Sequence, residues 1–226
     1  MNLKKKVLMT LGTIGVAAAV AGGGSFATFD AQTTNPGNVF STGTLVMSNK
    51  VPTGSACLST AGGSTDTNAN AACDTLFDLE IRKPGQSGTA NLTIKNEGSI
   101  SAAALKAYAT GCNDADASGE AYHGTGLPCS QVQLYIQQTD SAFTANTACI
   151  YGGAAVANTC DFSDTTKTLG NFVSTYNTSG TGLSAGPLTA GSTIYLKVGV
   201  QLPSTANNSY QGRKATIAFN WFMQQA

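Results

Sequence analysis

Charged residues are scarce in this chain. Asp, Glu, Lys and Arg make up 11% of its 226 residues, and twelve basic residues balance twelve acidic ones. Lys4, Lys5 and Lys6 lie before Ala27 and every acidic residue lies after it, so the chain beyond Ala27 has a net charge of −3. A net charge this small provides no electrostatic surface for nucleic acid or for an anionic membrane. It also does little to oppose self-association.

The residues that build common catalytic and metal centres are scarce as well. The chain has one histidine, His123, and neither an HExxH motif nor a paired CxxC motif. A zinc site, or a Ser-His-Asp or Cys-His arrangement, would have to use His123, for which the sequence identifies no partner. We therefore interpret His123 as a residue of a surface loop, and we predict neither a cofactor nor an enzymatic activity.

A sustained helical period is also missing, which argues against a helical bundle. Alternating apolar and polar residues predict strands at 77–81, 90–95, 131–137, 193–200 and 215–223. A mostly apolar run that is broken by Gly43 predicts a buried or kinked strand at 39–48. Residues 102–109 fit a strand or a helix, of which we favour the strand, and 168–173 fit a short helical turn. Many short strands separated by turns predict one antiparallel β-sandwich domain of jelly-roll type over residues 39–226.

Six cysteines lie beyond Ala27, and their even number predicts disulfides in an oxidising destination. Fifteen connectivities are open to six cysteines, and the spacing favours pairs of nearest neighbours. Each such bond would close a short polar loop and stabilise the fold by roughly 3 kcal/mol. Metal ligation is the alternative, which the missing CxxC motif disfavours. The predicted pairs are Cys57 with Cys73, Cys112 with Cys129, and Cys149 with Cys160.

The first 27 residues have the three parts of a secretory signal peptide. A cationic start is followed by an apolar run at 7–21 and by a small-x-small site at Ser25 and Ala27. The apolar run is shorter than the roughly 20 residues that span a bilayer. We therefore predict cleavage between Ala27 and Thr28, with an uncleaved membrane anchor as the alternative.

Cleavage would expose a short extended segment ahead of a turn. Phe29, Ala31 and Thr33 alternate with polar residues, and Pro36 and Gly37 form a hinge. Such a segment can stay disordered, pair within its own sheet, or pair with the sheet of another subunit. The segment by itself leaves all three fates open, and we name residues 28–34 the donor segment after the third. It consists of Thr28, Phe29, Asp30, Ala31, Gln32, Thr33 and Thr34.

One stretch between the second pair of cysteines has part of a calcium-loop pattern. Asp114, Asp116 and Ser118 alternate ahead of Gly119, but Thr125 stands where the loop needs a bidentate Glu. We therefore favour an ordinary acidic turn over a calcium site.

Short motifs follow one another in a specific order along the chain. They are the Lys-Lys-Lys start, Gly-Gly-Gly-Ser-Phe-Ala at 22–27, Phe-Ser-Thr-Gly-Thr-Leu at 40–45, Lys-Pro-Gly at 83–85, Asn-Glu-Gly-Ser at 96–99 and Tyr-Gln-Gly at 210–212. This series resembles the TasA/camelysin family of secreted biofilm-matrix proteins, most closely over residues 1–50 and not in the middle that contains the cysteines. The resemblance implies a jelly-roll β-sandwich that lends its N-terminal strand to the next subunit of a filament.

We thus predict a secreted structural subunit of an extracellular filament. Its partners would be copies of itself, signal peptidase during export, and other matrix components, and it would meet a membrane only through the uncleaved signal peptide. Two alternatives are a cell-surface metalloprotease of the camelysin type and a monomeric surface binding module. The zinc peptidase activity of some camelysin-like relatives finds no HExxH ligand set here.

Overall fold

The computed structural model describes residues 42–61, 68–77 and 83–225. The predicted signal peptide, its cleavage site, the donor segment and the hinge lie outside these ranges. So does most of the strand predicted at 77–81, of which only Phe77 is described, as a half-buried residue that packs against the core.

The described residues contain eleven strands, two helices and two 3-10 turns. The helices are α1 (Pro128–Gln131) and α2 (Leu169–Thr175), and the 3-10 turns lie at Ser59–Ala61 and Asn208–Tyr210. The strands are β1 (Met47–Lys50), β2 (Cys57–Leu58), β3 (Ser87–Asn96), β4 (Ala102–Asp116), β5 (Gln133–Thr139), β6 (Asn146–Tyr151), β7 (Gly153–Val156), β8 (Thr159–Asp161), β9 (Leu183–Leu188), β10 (Thr193–Gln201) and β11 (Arg213–Gln225).

The strands form two sheets and a small hairpin, and every pairing between them is antiparallel. One sheet has six strands in the order β2-β1-β3-β10-β5-β6, and the other has three in the order β11-β4-β9. The hairpin is β7-β8. The prediction of an all-β antiparallel fold is confirmed.

The core lies between the two sheets because alternate residues of their strands are apolar. Ile94 of β3 and Leu196 of β10 are fully buried on one side, and Leu105 and Ala109 of β4 are fully buried on the other. All four belong to a single cluster of buried side chains. Because both sheets contribute side chains to this cluster, the fold is sandwich-like.

Strands with uninterrupted alternation match the prediction. The strands predicted at 90–95, 193–200 and 215–223 are confirmed as parts of β3, β10 and β11. The strand interpretation of 102–109 is confirmed too, and β4 continues from there to Asp116. The helical turn predicted at 168–173 is confirmed by α2, whose N-cap Thr168 accepts a hydrogen bond from the backbone N–H of Asn171 at 3.2 Å.

Two predicted strand boundaries are wrong. The strand predicted at 39–48 begins only at Met47, because the preceding backbone bonds to the turn after β3 instead. The carbonyl of Thr44 accepts from the N–H of Ser99 at 2.9 Å, and that of Val46 accepts from the N–H of Glu97 at 2.8 Å. The strand predicted at 131–137 begins at Gln133, because α1 occupies the residues before it.

A β-bulge in the β4-β11 pair changes which side of β4 faces the core. Phe219 lies opposite Ala109, whereas Ile217 lies opposite Cys112, so β4 has one more residue than β11 between these pairs. Beyond the bulge, Cys112 and Asp114 occupy the face that Ala109 occupies before it. The bulge therefore directs Cys112 and Asp114 toward α1.

The three disulfides pair the cysteines as their spacing predicts. Cα atoms are 5.5 Å apart in Cys57–Cys73, 6.0 Å apart in Cys112–Cys129 and 4.8 Å apart in Cys149–Cys160. Three disulfides are consistent with an extracellular or otherwise oxidising environment. Neither α1, α2 nor the 3-10 turns are long and apolar enough to cross a membrane.

Candidate functional site

Strand β11 forms an edge of the three-stranded sheet. It is thirteen residues long, and within the described residues β4 is its only strand neighbour. Most strands have about five or six residues. A long edge with unpaired backbone N–H and C=O groups is a template for pairing with another segment of chain.

The core-facing side chains of β11 are large and only partly covered. Ile217, Phe219 and Trp221 are half-buried, while Met223 near the end of the strand is 8% exposed. The ring of Phe219 lies 5.6 Å from that of Phe172 in α2. These side chains contact the core on one side and are incompletely covered on the other.

Charges and prolines, two of the usual protections of an edge strand, are missing from the second half of β11. Proteins commonly protect edges with charges, prolines, bulges or very short strands. Residues 218–225 contain neither a charged residue nor a proline. By contrast, the opposite edge strand β9 contains Pro187, and β2 has two residues. Residues 219–225 are thus a strand edge without charge or proline, and we call them the open edge.

The first half of β11 is held by the loop between Cys112 and Cys129. Arg213 forms a close ion pair with Asp116, and its Nε donates to the carbonyl of Gly126 at 3.1 Å. The Nδ1 atom of His123 lies 2.7 Å from the carbonyl oxygen of Gly212. These contacts cover the start of the strand, so the open edge lies at its other end.

The residues of the calcium pattern have other partners. Asp114 and Asp116 belong to β4, so the predicted acidic turn is wrong for both; only Ser118 and Gly119 lie in the turn beyond it. The Oδ1 atom of Asp114 accepts from the backbone N–H of Cys129 at 2.7 Å, and Asp116 pairs with Arg213. Over the ranges that the structure describes, His, Cys, Asp and Glu side chains form no group of three that could hold a metal ion.

His123 lies in the loop where the sequence places it, and its contacts are with the scaffold. Its side chain is 33% exposed and its Nδ1 lies 3.9 Å from a carboxylate oxygen of Asp116. Together with the contact to Gly212, this attaches the loop to the start of β11.

A buried polar cluster on β5 does not follow from the alternation of its strand. Alternation assigns Gln133, Gln137 and Thr139 to an exposed face, yet they are 3%, 2% and 4% exposed. The Oε1 atom of Gln137 accepts from the N–H of Cys160 at 2.5 Å, and its Nε2 donates to the carbonyls of Ala148 and Asn158. The signal that was available is the third cysteine pair, whose disulfide holds the β7-β8 hairpin next to β5.

Turn hydrogen bonds and burial shift the pKa values of several groups. Hydrogen bonds from the backbone of Ala145 and from Thr144 lower the pKa of Asp140. Those from Ser163 lower the pKa of Asp161, and those from Thr166 lower that of Asp164. Burial, together with the neighbouring Tyr176 and Asp164, raises the pKa of Tyr151 to about 12. All of these groups stabilise turns or the core.

Comparison with known proteins gives no family or relative from which to identify this chain. No protein-family model and no curated protein sequence matches this chain.

Proposed function

We propose that this protein is a secreted structural subunit that polymerises into an extracellular filament. In this proposal each subunit places its donor segment, residues 28–34, beside the open edge of the next subunit. The observation that carries the proposal is the open edge itself, an uncharged strand edge with half-buried Phe219 and Trp221. The resemblance to the TasA/camelysin family supports the same assembly.

The donor segment and the open edge match in length and in pattern. Both have seven residues, and a strand of seven residues spans about 23 Å. Phe29, Ala31 and Thr33 would lie on the core side, where they would cover the half-buried Phe219 and Trp221. The donor backbone would pair with the N–H and C=O groups of β11 that bond to no other strand of the described residues. The three-stranded sheet would thereby gain a fourth strand, as we expect for the jelly-roll type.

The donor segment of one subunit and the open edge of the next are two different surfaces, so a contact between them does not close on itself. It therefore propagates into a fibre, which a two-fold symmetric contact would not do. The signal peptide would regulate this step, because the donor segment stays attached to the membrane until cleavage after Ala27. The disulfides suit the extracellular location that the proposal requires.

Two neighbouring substitutions in the donor segment test the proposal. Ala31→Asp places a charge on the core side of the donor strand, so it should abolish filaments. Gln32→Asp places the same charge on the opposite side and should leave them intact. Negative-stain microscopy and sedimentation of the secreted proteins provide the comparison. A synthetic peptide of residues 28–38 should also shorten filaments of the unmodified protein by occupying open edges.

Filaments of normal length from both variants would contradict the proposal. Loss of filaments from both would show that charge anywhere in the segment prevents assembly, which would contradict the assigned core side.

A further inference from the structure

A groove crosses the outer face of the six-stranded sheet, away from the open edge. Its volume is about 370 Å³. That lies within the roughly 300–1,000 Å³ of typical small-ligand sites. Its lining residues are Lys50, Val51, Pro52, Asn91, Thr93 and Phe143. One wall therefore comes from the end of β1, the floor from β3, and the other wall from the β5-β6 turn.

The floor of the groove contributes two polar side chains because it lies on the side of the sheet opposite the core. Lys50 pairs with Thr93, and Asn91 pairs with Lys197, and cross-strand partners share one face of a sheet. The neighbours of Thr93 along β3, Leu92 and Ile94, are buried in the core. Asn91 and Thr93 therefore present an amide and a hydroxyl, both of which donate and accept hydrogen bonds.

Phe143 is held in place as the aromatic wall of the groove. It has a positive φ of 58°, a conformation that bulky residues rarely adopt. Asp140 maintains the turn by accepting from the backbone N–H groups of Thr144 at 2.7 Å and Ala145 at 3.0 Å. The Nζ of Lys197 donates to the carbonyl of Phe143 at 3.1 Å, and the Phe143 ring packs edge-on to Tyr195. The ring is thus preorganised, which lowers the entropy cost of binding.

The charge around the groove favours an anionic ligand. Lys50 is exposed and has no ion-pair partner within the described ranges, and none of the lining residues is acidic. Asp140 lies in the turn behind Phe143, where its carboxylate accepts hydrogen bonds from that turn.

We propose that this groove binds an acidic oligosaccharide. The C–H face of one sugar ring packs on Phe143, its hydroxyls bond to Asn91 and Thr93, and a carboxylate pairs with Lys50. A peptide is disfavoured because the floor belongs to interior strands, whose backbone groups already pair with their neighbours. Such a floor cannot add a peptide strand by backbone pairing. Recognition has to come from side chains, as it does for sugars.

Isothermal titration calorimetry of the secreted protein with tetragalacturonate tests this site. We expect saturable binding that is weakened at least about tenfold by Lys50→Ala and by Phe143→Asn. Asn is used because it tolerates a positive φ. Lys214→Ala and Tyr122→Asn, which remove another exposed lysine and another exposed aromatic, serve as matched controls and should bind normally. Thermal unfolding confirms that each variant is folded.

Three results would overturn the proposal. They are no binding of tetragalacturonate, equal binding by the groove variants, and equal affinity for either uncharged galactotetraose or a tetraglutamate peptide. Because the measurement does not require assembly, it can fail while the proposed filament stands.

Discussion

At the scale of single residues, Gln137 joins three separate parts of the chain. Its amide bonds to backbone groups of β6, β8 and the β7-β8 turn, and the side chain is 2% exposed. A buried amide whose donor and acceptor groups are all satisfied holds its neighbours in one arrangement. Removal of the Gln137 amide leaves these backbone groups buried and unpaired.

We expect Gln137→Met to lower the free energy of unfolding by about 2–4 kcal/mol. Methionine has a similar shape, so the loss comes from unpaired backbone groups, each of which costs about 1–3 kcal/mol. Gln211→Met, at an exposed position in the turn before β11, is the control and should change stability by less than about 0.5 kcal/mol. Urea unfolding measures both. Equal stability of the two variants would mean that the amide network contributes little.

The raised pKa of Tyr151 predicts a loss of folding stability at high pH. Its pKa is about 12 in the folded protein and about 10 when exposed, so its neutral form is favoured by folding. The effect is absent below pH 10 and grows as pH rises from 10 toward 12, since the unfolded chain ionises first. All six cysteines are paired in disulfides, so no free thiol is present at the start of the measurement.

Tyr151→Phe should therefore lose about 1 kcal/mol less stability than the unmodified protein between pH 9 and pH 11. Tyr122→Phe, which alters a tyrosine that is 58% exposed, is the matched control. Urea unfolding at the two pH values provides the comparison. An identical pH dependence of the Tyr151→Phe and Tyr122→Phe proteins would contradict the assignment.

The burial of Gln137 could not have been predicted from its own strand. Alternation in β5 separates Leu134 and Ile136 from polar residues, and such a pattern normally means that the polar side faces water. What covers Gln137 is a hairpin held by Cys149–Cys160, a contact made by residues further along the chain. Periodicity within one strand contains no information about such a cover.

At the scale of elements, the three disulfides should differ in their contribution. Cys160 is 8% exposed, and its bond to Cys149 fixes the hairpin that covers Gln137. Cys57 lies at the two-residue strand β2 on an edge of the larger sheet. Loss of the Cys149–Cys160 bond should therefore disturb the core more than loss of the Cys57–Cys73 bond.

We expect replacement of both Cys149 and Cys160 by serine to cost more stability than the same change at Cys57 and Cys73. Loop entropy alone gives about 3 kcal/mol for each bond, because the loops are similar in length. The additional cost at the first pair comes from exposing the Gln137 cluster. Guanidinium unfolding of the two double variants measures the difference. A larger cost at Cys57–Cys73 would contradict this account.

Elements were predictable where one pattern continued without interruption. The strands β3, β10 and β11 follow from alternation, and α2 matches the short helical turn predicted at 168–173. The predictions were wrong at boundaries, where Thr44 and Val46 bond to a turn rather than to a strand. Such a choice depends on a distant partner, and local sequence does not specify it.

At the scale of the whole molecule, the two sheets are unequal. Among the described residues, six strands face three, and the smaller sheet ends in the open edge of β11. The sequence predicted β11 as a strand but could not predict that it lies at an edge, because the order of strands depends on which strands pair across the fold. The N-terminal motifs and the open edge are therefore independent grounds for the same assembly.

The most direct measurement of the central claim is a helical reconstruction of the filaments by electron cryomicroscopy. We predict a strand formed by residues 28–34 of one subunit beside residues 219–225 of the next. A secreted protein that remains monomeric, or filaments in which that position is taken by a segment of the same subunit, would contradict the account.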